Sequence, residues 1–110
     1  MDTEILEKYK IKFYNHTTFG KMATGSGVAE FLDDSKGNLA NIDSALEIVE
    51  YHLNNGVYDA DKEIISFNMY SATVVDGEVL ITTDSKIQIL QVVPLQDFKK
   101  ILLSWKEFLI

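Results

Sequence analysis

The chain has 110 residues, of which 46% are hydrophobic and 11% aromatic, and its formal net charge is −7. This apolar content is sufficient for the core of one folded domain and too high for a disordered acidic tail. The absence of cysteine excludes disulfides, thiolate metal sites and cysteine nucleophiles. All ten basic residues are lysine, so no guanidinium group is present for bidentate phosphate binding, and we expect no nucleic-acid partner.

The N-terminal residues are acidic and lack the apolar segment of a signal peptide. No apolar run approaches the roughly 18 residues that a membrane-spanning helix needs. Together with the lack of cysteine, these features predict a cytoplasmic protein that does not bind membranes.

The first elements are short. Apolar residues and lysines alternate from Lys8 to Phe13, which predicts a strand over Lys8–His16 with a cationic outer face. The small residues of Gly20–Gly27 are typical of a mobile connection, and the apolar segment Val28–Leu32 is predicted to be a second strand. The polar residues that follow predict a turn.

The middle of the chain combines a helix and a hairpin. Apolar residues spaced by three and four predict an amphipathic helix over Asn41–Asn54, with Asn41 as its N-cap. A long strand is predicted over Glu63–Val75. Its apolar parity changes near Met69 to Ser71, which indicates either a bulge there or a strand covered on both faces, and we favour the bulge. The dipeptide Asp76-Gly77 predicts a type I′ turn. This turn would place Val74 opposite Val79 and Ala72 opposite Ile81.

A third strand is predicted over Ile87–Val92, and Pro94 is expected to open a closing helix whose apolar stripe includes Trp105. The elements together predict a single α+β domain over residues 1–110. In it, an antiparallel sheet of four to five strands is covered by two main helices.

The acidic residues are concentrated in the middle of the chain. Twelve of the 17 lie between Glu30 and Asp84, where Lys36 and Lys62 are the only lysines, whereas both flanking segments are slightly basic. This segregation predicts a negative field that attracts a basic partner and repels nucleic acid and anionic membranes. The alternative, that these carboxylates only keep the surface soluble, stays open.

No pattern of catalytic or metal-binding residues is evident. His16 and His52 lack the spacing of a ligand pair, so we expect no metal and no cofactor. No serine lies in a Gly-x-Ser-x-Gly elbow. In Gly20–Gly27 the lysine comes directly after the first glycine, whereas a phosphate-binding loop has its lysine after the second glycine. We therefore expect no enzyme. A small-ligand binder or small enzyme that uses His16 and Gly20–Gly27 remains the alternative.

The closing third of the chain carries a resemblance. Three predicted elements follow one another there. They are the hairpin Asp76-Gly77-Glu78-Val79-Leu80-Ile81, the strand Ile87–Val92, and a helix that starts at Pro94-Leu95-Gln96-Asp97-Phe98 and ends in Ser104-Trp105-Lys106-Glu107-Phe108-Leu109. This ending resembles that of many small bacterial immunity proteins, the antitoxins of contact-dependent growth inhibition and related polymorphic toxin systems. The resemblance implies a cytosolic inhibitor without catalytic activity of its own. It would bind the C-terminal domain of a cognate toxin, often a basic nuclease, as a monomer in a 1:1 complex.

Charge placement alone selects the expected contacts with such a partner, because acids in loops and at element ends are accessible to a basic surface. The predicted partner-binding residues are Asp33, Asp34, Asp59, Asp61, Glu63, Asp76, Glu78 and Asp84. A further alternative is an assembly subunit that pairs through the edge of Lys8–His16, although lysines on an edge strand commonly prevent such pairing.

Overall fold

Four helices and six strands make up the described part of the computed structural model, which comprises residues 1–35, 38–55, 62–66, 69–83 and 88–110. The helices are α1 (Thr3–Lys8), α2 (Gly27–Asp34), α3 (Leu39–Asn55) and α4 (Leu95–Leu109). The strands are β1 (Lys12–His16), β2 (Gly20–Thr24), β3 (Lys62–Ser66), β4 (Tyr70–Val75), β5 (Glu78–Thr83) and β6 (Ile89–Pro94). The α+β class is confirmed, but the strands are divided between a β1–β2 hairpin and an antiparallel sheet in the order β3-β4-β5-β6.

The N-terminal segment begins as a helix, so the predicted strand Lys8–His16 is wrong in its first part. Asp2 caps α1 by accepting a hydrogen bond from the Ile5 amide at 3.1 Å. Helix α1 buries Ile5 and Leu6 and ends at Lys8, and β1 begins only at Lys12. The predicted mobile connection is also wrong in part, because Gly20–Thr24 forms β2 and pairs with β1.

Helix α2 occupies the segment that was predicted to be a strand. Its apolar residues Val28, Ala29, Phe31 and Leu32 are all fully buried. Offsets of one, three and four residues place side chains on one face of a helix, whereas a strand would send them to both faces of a sheet. The prediction of a strand over Val28–Leu32 is therefore wrong.

Helix α3 confirms the predicted amphipathic helix, which begins two residues earlier and ends one residue later than expected. Its N-terminal amides are capped by Asn38, whose Oδ1 accepts a hydrogen bond from the Asn41 amide at 3.2 Å, so Asn41 is not the cap. Helix α3 packs against α4 and buries Ile42, Ala45 and Val49.

The β4–β5 hairpin confirms the predicted turn and register. Asp76 and Gly77 have φ values of 49° and 79°, as a type I′ turn requires. The expected pairs of Val74 with Val79 and of Ala72 with Ile81 are both present.

The long strand predicted over Glu63–Val75 is instead two strands. Ser66 at the end of β3 pairs with Ser71 of β4, so the chain reverses between them. The expected bulge near Met69 to Ser71 is wrong in position, because the register shift lies in β3 between Glu63 and Ile65. The third predicted strand is confirmed as β6, shifted to Ile89–Pro94, and Ile87 lies outside the described residues.

Helix α4 supplies the centre of the hydrophobic core. Its buried face includes Phe98, Ile101, Leu102 and Trp105. The closing helix is confirmed, but Pro94 is its N-cap residue, one position before the first helical residue where it was expected. One contiguous core also includes buried side chains of α1, α2, α3 and the larger sheet. Among the described helices, none combines the length and the apolar character needed to cross a membrane.

Asp97, in the first turn of α4, joins α1 to α4. Its Oδ2 accepts hydrogen bonds from the Tyr9 hydroxyl at 2.5 Å and from Lys8 Nζ at 2.9 Å. Burial alone would raise the pKa of Asp97, but the hydrogen bonds from Tyr9 and Lys8 outweigh it and hold the pKa below its ordinary value. Burial and the neighbouring carboxylate raise the pKa of the Tyr9 hydroxyl, which therefore remains a donor.

We expect Asp97→Asn to lower the free energy of unfolding at pH 7 by about 1–3 kcal/mol, because hydrogen bonds to a charged acceptor are weakened. The pKa of Asp97 is lower in the folded state than its unfolded value of about 3.9. Its contribution is therefore complete above that pH and is lost as the pH falls through the folded-state pKa.

Urea unfolding of wild type and Asp97→Asn at pH 7 and pH 3 checks this pH dependence. The difference in unfolding free energy should shrink at pH 3, whereas the exposed substitution Glu47→Gln should change little at either pH. An equal difference at both pH values would contradict the role given to the Asp97 charge.

Candidate functional site

A surface groove of about 320 Å³ lies between the β1–β2 hairpin, α2 and the start of β4. We call it the acidic groove, because three carboxylates line it together with two tyrosines and two methionines. The lining residues are Tyr14, Met22, Ala23, Thr24, Glu30, Asp33, Asp34, Met69 and Tyr70.

The three carboxylates converge because of helix geometry. Glu30, Asp33 and Asp34 lie at offsets of three and four residues, which puts them on the face of α2 that is opposite its apolar face. The same periodicity that buries the apolar residues of α2 therefore gathers its acids in the groove.

Hydrogen bonds fix each carboxylate of the groove. Asp33 Oδ1 accepts from the Ala23 amide at 3.2 Å, and Asp34 Oδ2 accepts from the amides of Met69 and Tyr70 at 2.7 and 3.2 Å. Glu30 Oε2 accepts from the Tyr70 hydroxyl at 3.2 Å. These bonds tie α2 to both neighbouring walls, so the carboxylates are held in place before any partner binds.

Within the described residues, no lysine lines the groove, and none forms an ion pair with its carboxylates. The ion pairs of these residues join Lys8 to Asp97, Lys99 to Glu50, Lys106 to Asp43 and the N-terminus to Glu107. None of them includes a groove carboxylate. The pKa of Tyr70 is raised by burial and then by the charge of Glu30 and its hydrogen bond to Tyr70, with a further contribution from Asp34. This shift has the sign expected beside negative charges.

The acids of α3 behave differently from those of α2. Asp43 and Glu50 belong to the acidic middle of the sequence, yet each pairs with a lysine of α4. Packing of the basic C-terminal helix against α3 thus offsets part of the charge that is segregated along the chain. Of the described acids in the middle of the chain, those in none of these ion pairs are Glu30, Asp33 and Asp34 in the groove, Glu47 on α3, and Asp76 and Glu78 at the β4–β5 turn.

The predicted partner-binding residues that the structure describes form two groups. Asp33 and Asp34 lie in the groove, whereas Asp76 and Glu78 lie at the β4–β5 turn, at the other end of β4. Six residues of extended strand separate these ends by about 20 Å. Glu63 is in β3, paired with Thr73. The side chain of Glu63 and all of Asp59, Asp61 and Asp84 lie outside what the structure describes.

His16 has a local role in the hairpin. Its Nδ1 accepts hydrogen bonds from the amides of Thr18 and Phe19 at 3.0 and 3.2 Å, and it does not line the acidic groove. Directly after the predicted Gly20–Gly27 loop, a backbone amide is already hydrogen-bonded within the protein. The Val28 amide in the first turn of α2 donates to Gln91 Oε1 at 2.8 Å, so this donor is already used within the protein.

A second surface groove, near the N-terminus, has mixed charges. Its volume is about 270 Å³, and it is lined by Asp2, Glu4, Ile5, Lys8, Asp97 and Lys100. The lysine and aspartate that pair there belong to the link between α1 and α4. Within the described part of the chain, no three histidine or carboxylate side chains come together as metal ligands.

The sequence analysis missed Glu30 and the aromatic and methionine lining of the groove. Glu30 could have been found from the pattern of α2, because polar residues at positions 30, 33 and 34 alternate with buried residues at helical spacing. Tyr14 and Tyr70 carry no comparable signal, since only the tertiary fold brings β1 and β4 to the two sides of α2. Comparison of the chain with protein-family models, with curated proteins and with solved structures gives no match.

Proposed function

We propose that this chain is an immunity protein, which binds and neutralises a basic toxin domain through the acidic groove. The observation that carries the proposal is the set of three hydrogen-bonded carboxylates on α2 that form no ion pair with a described lysine. Charge complementarity of this kind accelerates association with a basic protein and suppresses binding of acidic ones.

The lining of the groove suits a protein partner. Tyrosine and methionine are enriched at protein interfaces, and tyrosine rings accept lysine or arginine groups on their faces. Tyr14 is 38% exposed and Met69 is 59% exposed, so both are accessible to a partner. A lysine or arginine side chain in the groove would contact aromatic surface along its stem and carboxylates at its charged end.

The resemblance of the closing third of the chain to immunity proteins supplies the class of partner. A toxin domain that acts on nucleic acid carries a basic surface that binds phosphates. The groove carboxylates would bind that surface instead of the phosphates. The expected complex is 1:1, and inhibition needs only that the bound chain covers the toxin surface. The groove carboxylates, and not a catalytic group, would perform this function.

A charge-neutralising variant tests the proposal. The proposal predicts that a neighbouring gene encodes a large secreted protein with a basic C-terminal toxin domain. That domain is the probe, and binding is measured by surface plasmon resonance at several salt concentrations. We expect the variant Glu30→Gln, Asp33→Asn, Asp34→Asn to bind about 10–100-fold more weakly, mainly through slower association, and with a smaller dependence on salt. The amide substitutions retain an oxygen acceptor for each backbone donor.

A matched control removes the same charge outside the groove. Glu4→Gln, Glu7→Gln, Glu47→Gln changes three exposed acids on α1 and α3 and should leave binding within about threefold of wild type. Equal weakening by both triple variants would contradict the groove as the binding site. Failure of the wild-type chain to bind the neighbouring toxin domain, or to protect cells that express it, would contradict the immunity function itself.

A further inference from the structure

The tip of the β1–β2 hairpin presents an exposed aromatic side chain in a defined turn. Phe19 is 74% exposed, and its ring centroid lies 4.9 Å from that of His16. The two amide hydrogen bonds to His16 Nδ1 hold the three-residue loop, and Gly20 closes it with a φ of +79°. The loop is thus organised by specific contacts although its phenylalanine is not buried.

One face of the β1–β2 hairpin packs against the end of α4. Phe13 packs against Trp105 and Phe108, with ring centroids 5.0 and 5.3 Å apart. Lys21 lies over the Phe108 ring at 5.7 Å and donates to the Leu109 carbonyl at 3.1 Å. These contacts with the end of α4 fix the orientation of the hairpin.

The opposite face of the hairpin faces outward and leads from Phe19 into the acidic groove. Tyr14 and His16 are two residues apart in β1, so their side chains lie on the same face with their backbones about 7 Å apart. Met22 pairs with Tyr14 across the hairpin, and both line the groove. We call Phe19, His16, Tyr14 and Met22 the hairpin strip.

We propose that the hairpin strip and the acidic groove form one interface, in which Phe19 is the anchor that fills an apolar pocket of the toxin domain. The inference rests on the proposed function and adds the chemistry of the partner surface: an apolar pocket next to lysine or arginine side chains that reach the groove. Two features carry it, the continuity of the strip with the groove and the complementarity of the groove to a basic partner.

Preorganisation explains why this aromatic residue is suited to be an anchor. Binding energy at protein interfaces concentrates in a few large side chains that enter pockets, surrounded by contacts of smaller effect. An aromatic side chain that is already oriented loses little conformational freedom when it binds. The His16 contacts supply that orientation, and the acids beside the strip supply long-range attraction.

Phe19→Ala tests the anchor, with the neighbouring toxin domain as the probe and surface plasmon resonance as the measurement. We expect binding to weaken by at least about 30-fold through faster dissociation, while the dependence on salt stays that of wild type. Tyr51→Ala, on α3, removes an aromatic side chain that is 55% exposed and should bind within about threefold of wild type. Far-UV circular dichroism verifies that both variants are folded.

The two proposals fail in distinguishable ways. If wild type binds and the groove triple variant associates slowly, but Phe19→Ala dissociates like wild type, the anchor is wrong and the immunity function stands. If wild type does not bind the toxin domain, both proposals are wrong. Faster dissociation of Tyr51→Ala to the same extent as Phe19→Ala would also overturn the assignment of the anchor to the hairpin.

The role of His16 as a brace has its own readout. His16→Ala removes the acceptor for the amides of Thr18 and Phe19, so their hydrogen exchange should become faster and dissociation of the toxin domain should accelerate. Unchanged exchange at both amides would show that His16 does not hold the turn.

Discussion

Replacing Gly25 by alanine is expected to lower the free energy of unfolding by about 3–5 kcal/mol, since strained backbone and overpacking each cost on the order of 1–3 kcal/mol. Gly25 has a φ of +129°, which side-chain-bearing residues rarely adopt. An added Cβ would lie 1.8 Å from the backbone oxygen of Lys10. Neither atom belongs to a flexible side chain, so the backbone itself would have to move.

Gly20→Ala is the matched control for this substitution. Gly20 also has a positive φ, of +79°, but a Cβ added there meets no atom within 4 Å. We expect it to cost about 1 kcal/mol, from the backbone conformation alone. Urea unfolding followed by far-UV circular dichroism measures both values. Equal losses for the two variants would contradict the close approach of Gly25 to Lys10 as the dominant cause.

The contact between Gly25 and Lys10 also has a consequence for the site. It lies at the base of the β1–β2 hairpin, because Lys10 precedes β1 and Gly25 follows β2 shortly before α2. The hairpin and α2 are both walls of the acidic groove. A backbone shift at Gly25 is expected to separate Ala23 from Asp33 and to change the groove as well as the stability.

The longer helices and the β4–β5 hairpin could be predicted from the sequence because their signals are local. Helices α3 and α4 repeat apolar residues over four turns or more, and Asp76-Gly77 favours one turn type. Helix α2 has eight residues, and a short apolar run is equally compatible with a buried strand. The error at α2 hid the convergence of Glu30 with Asp33 and Asp34.

The charge of the surface could be predicted only in part, because charge along a sequence does not fix charge in space. Glu50 and Lys99 are 49 residues apart and Asp43 and Lys106 are 63 apart, and helix packing brings both pairs together. The walls of the groove likewise come from β1, α2 and β4, which no local pattern connects. The sequence indicates Asp33 and Asp34 only through their charge, and the structure adds that both accept hydrogen bonds from backbone amides.

The packing around Trp105 underlies the second large effect that we expect. Trp105 is the only tryptophan and is fully buried. Its ring contacts Phe13 of the hairpin and Phe108 of α4, and its Nε1 donates to Ser35 Oγ at 3.1 Å. The Ser35 hydroxyl in turn donates to the Leu32 carbonyl at 2.5 Å. One side chain therefore links α4, the hairpin and the C-terminal end of α2.

Trp105→Ala is expected to lower the free energy of unfolding by about 3–5 kcal/mol, the range for truncating a large buried aromatic residue. Trp105→Phe retains part of the ring packing but removes the donor to Ser35, and should cost less, about 1–3 kcal/mol. Leu103→Ala, at a position of α4 that is 46% exposed, should cost below about 1 kcal/mol. Urea unfolding followed by far-UV circular dichroism compares the three variants without relying on tryptophan fluorescence.

The local effect of Trp105→Ala should be largest at the hairpin, because Phe13 loses the ring it packs against while the β4–β5 hairpin keeps its own pairing. Hydrogen exchange at the amides of β1 and β2 should therefore accelerate more than exchange at β4 and β5. Uniform acceleration over both hairpins would show that Trp105 stabilises the domain as a whole and does not specifically hold the hairpin. Preferential loss at β1 and β2 would establish that the core of α4 positions the wall of the groove that carries Tyr14 and Met22.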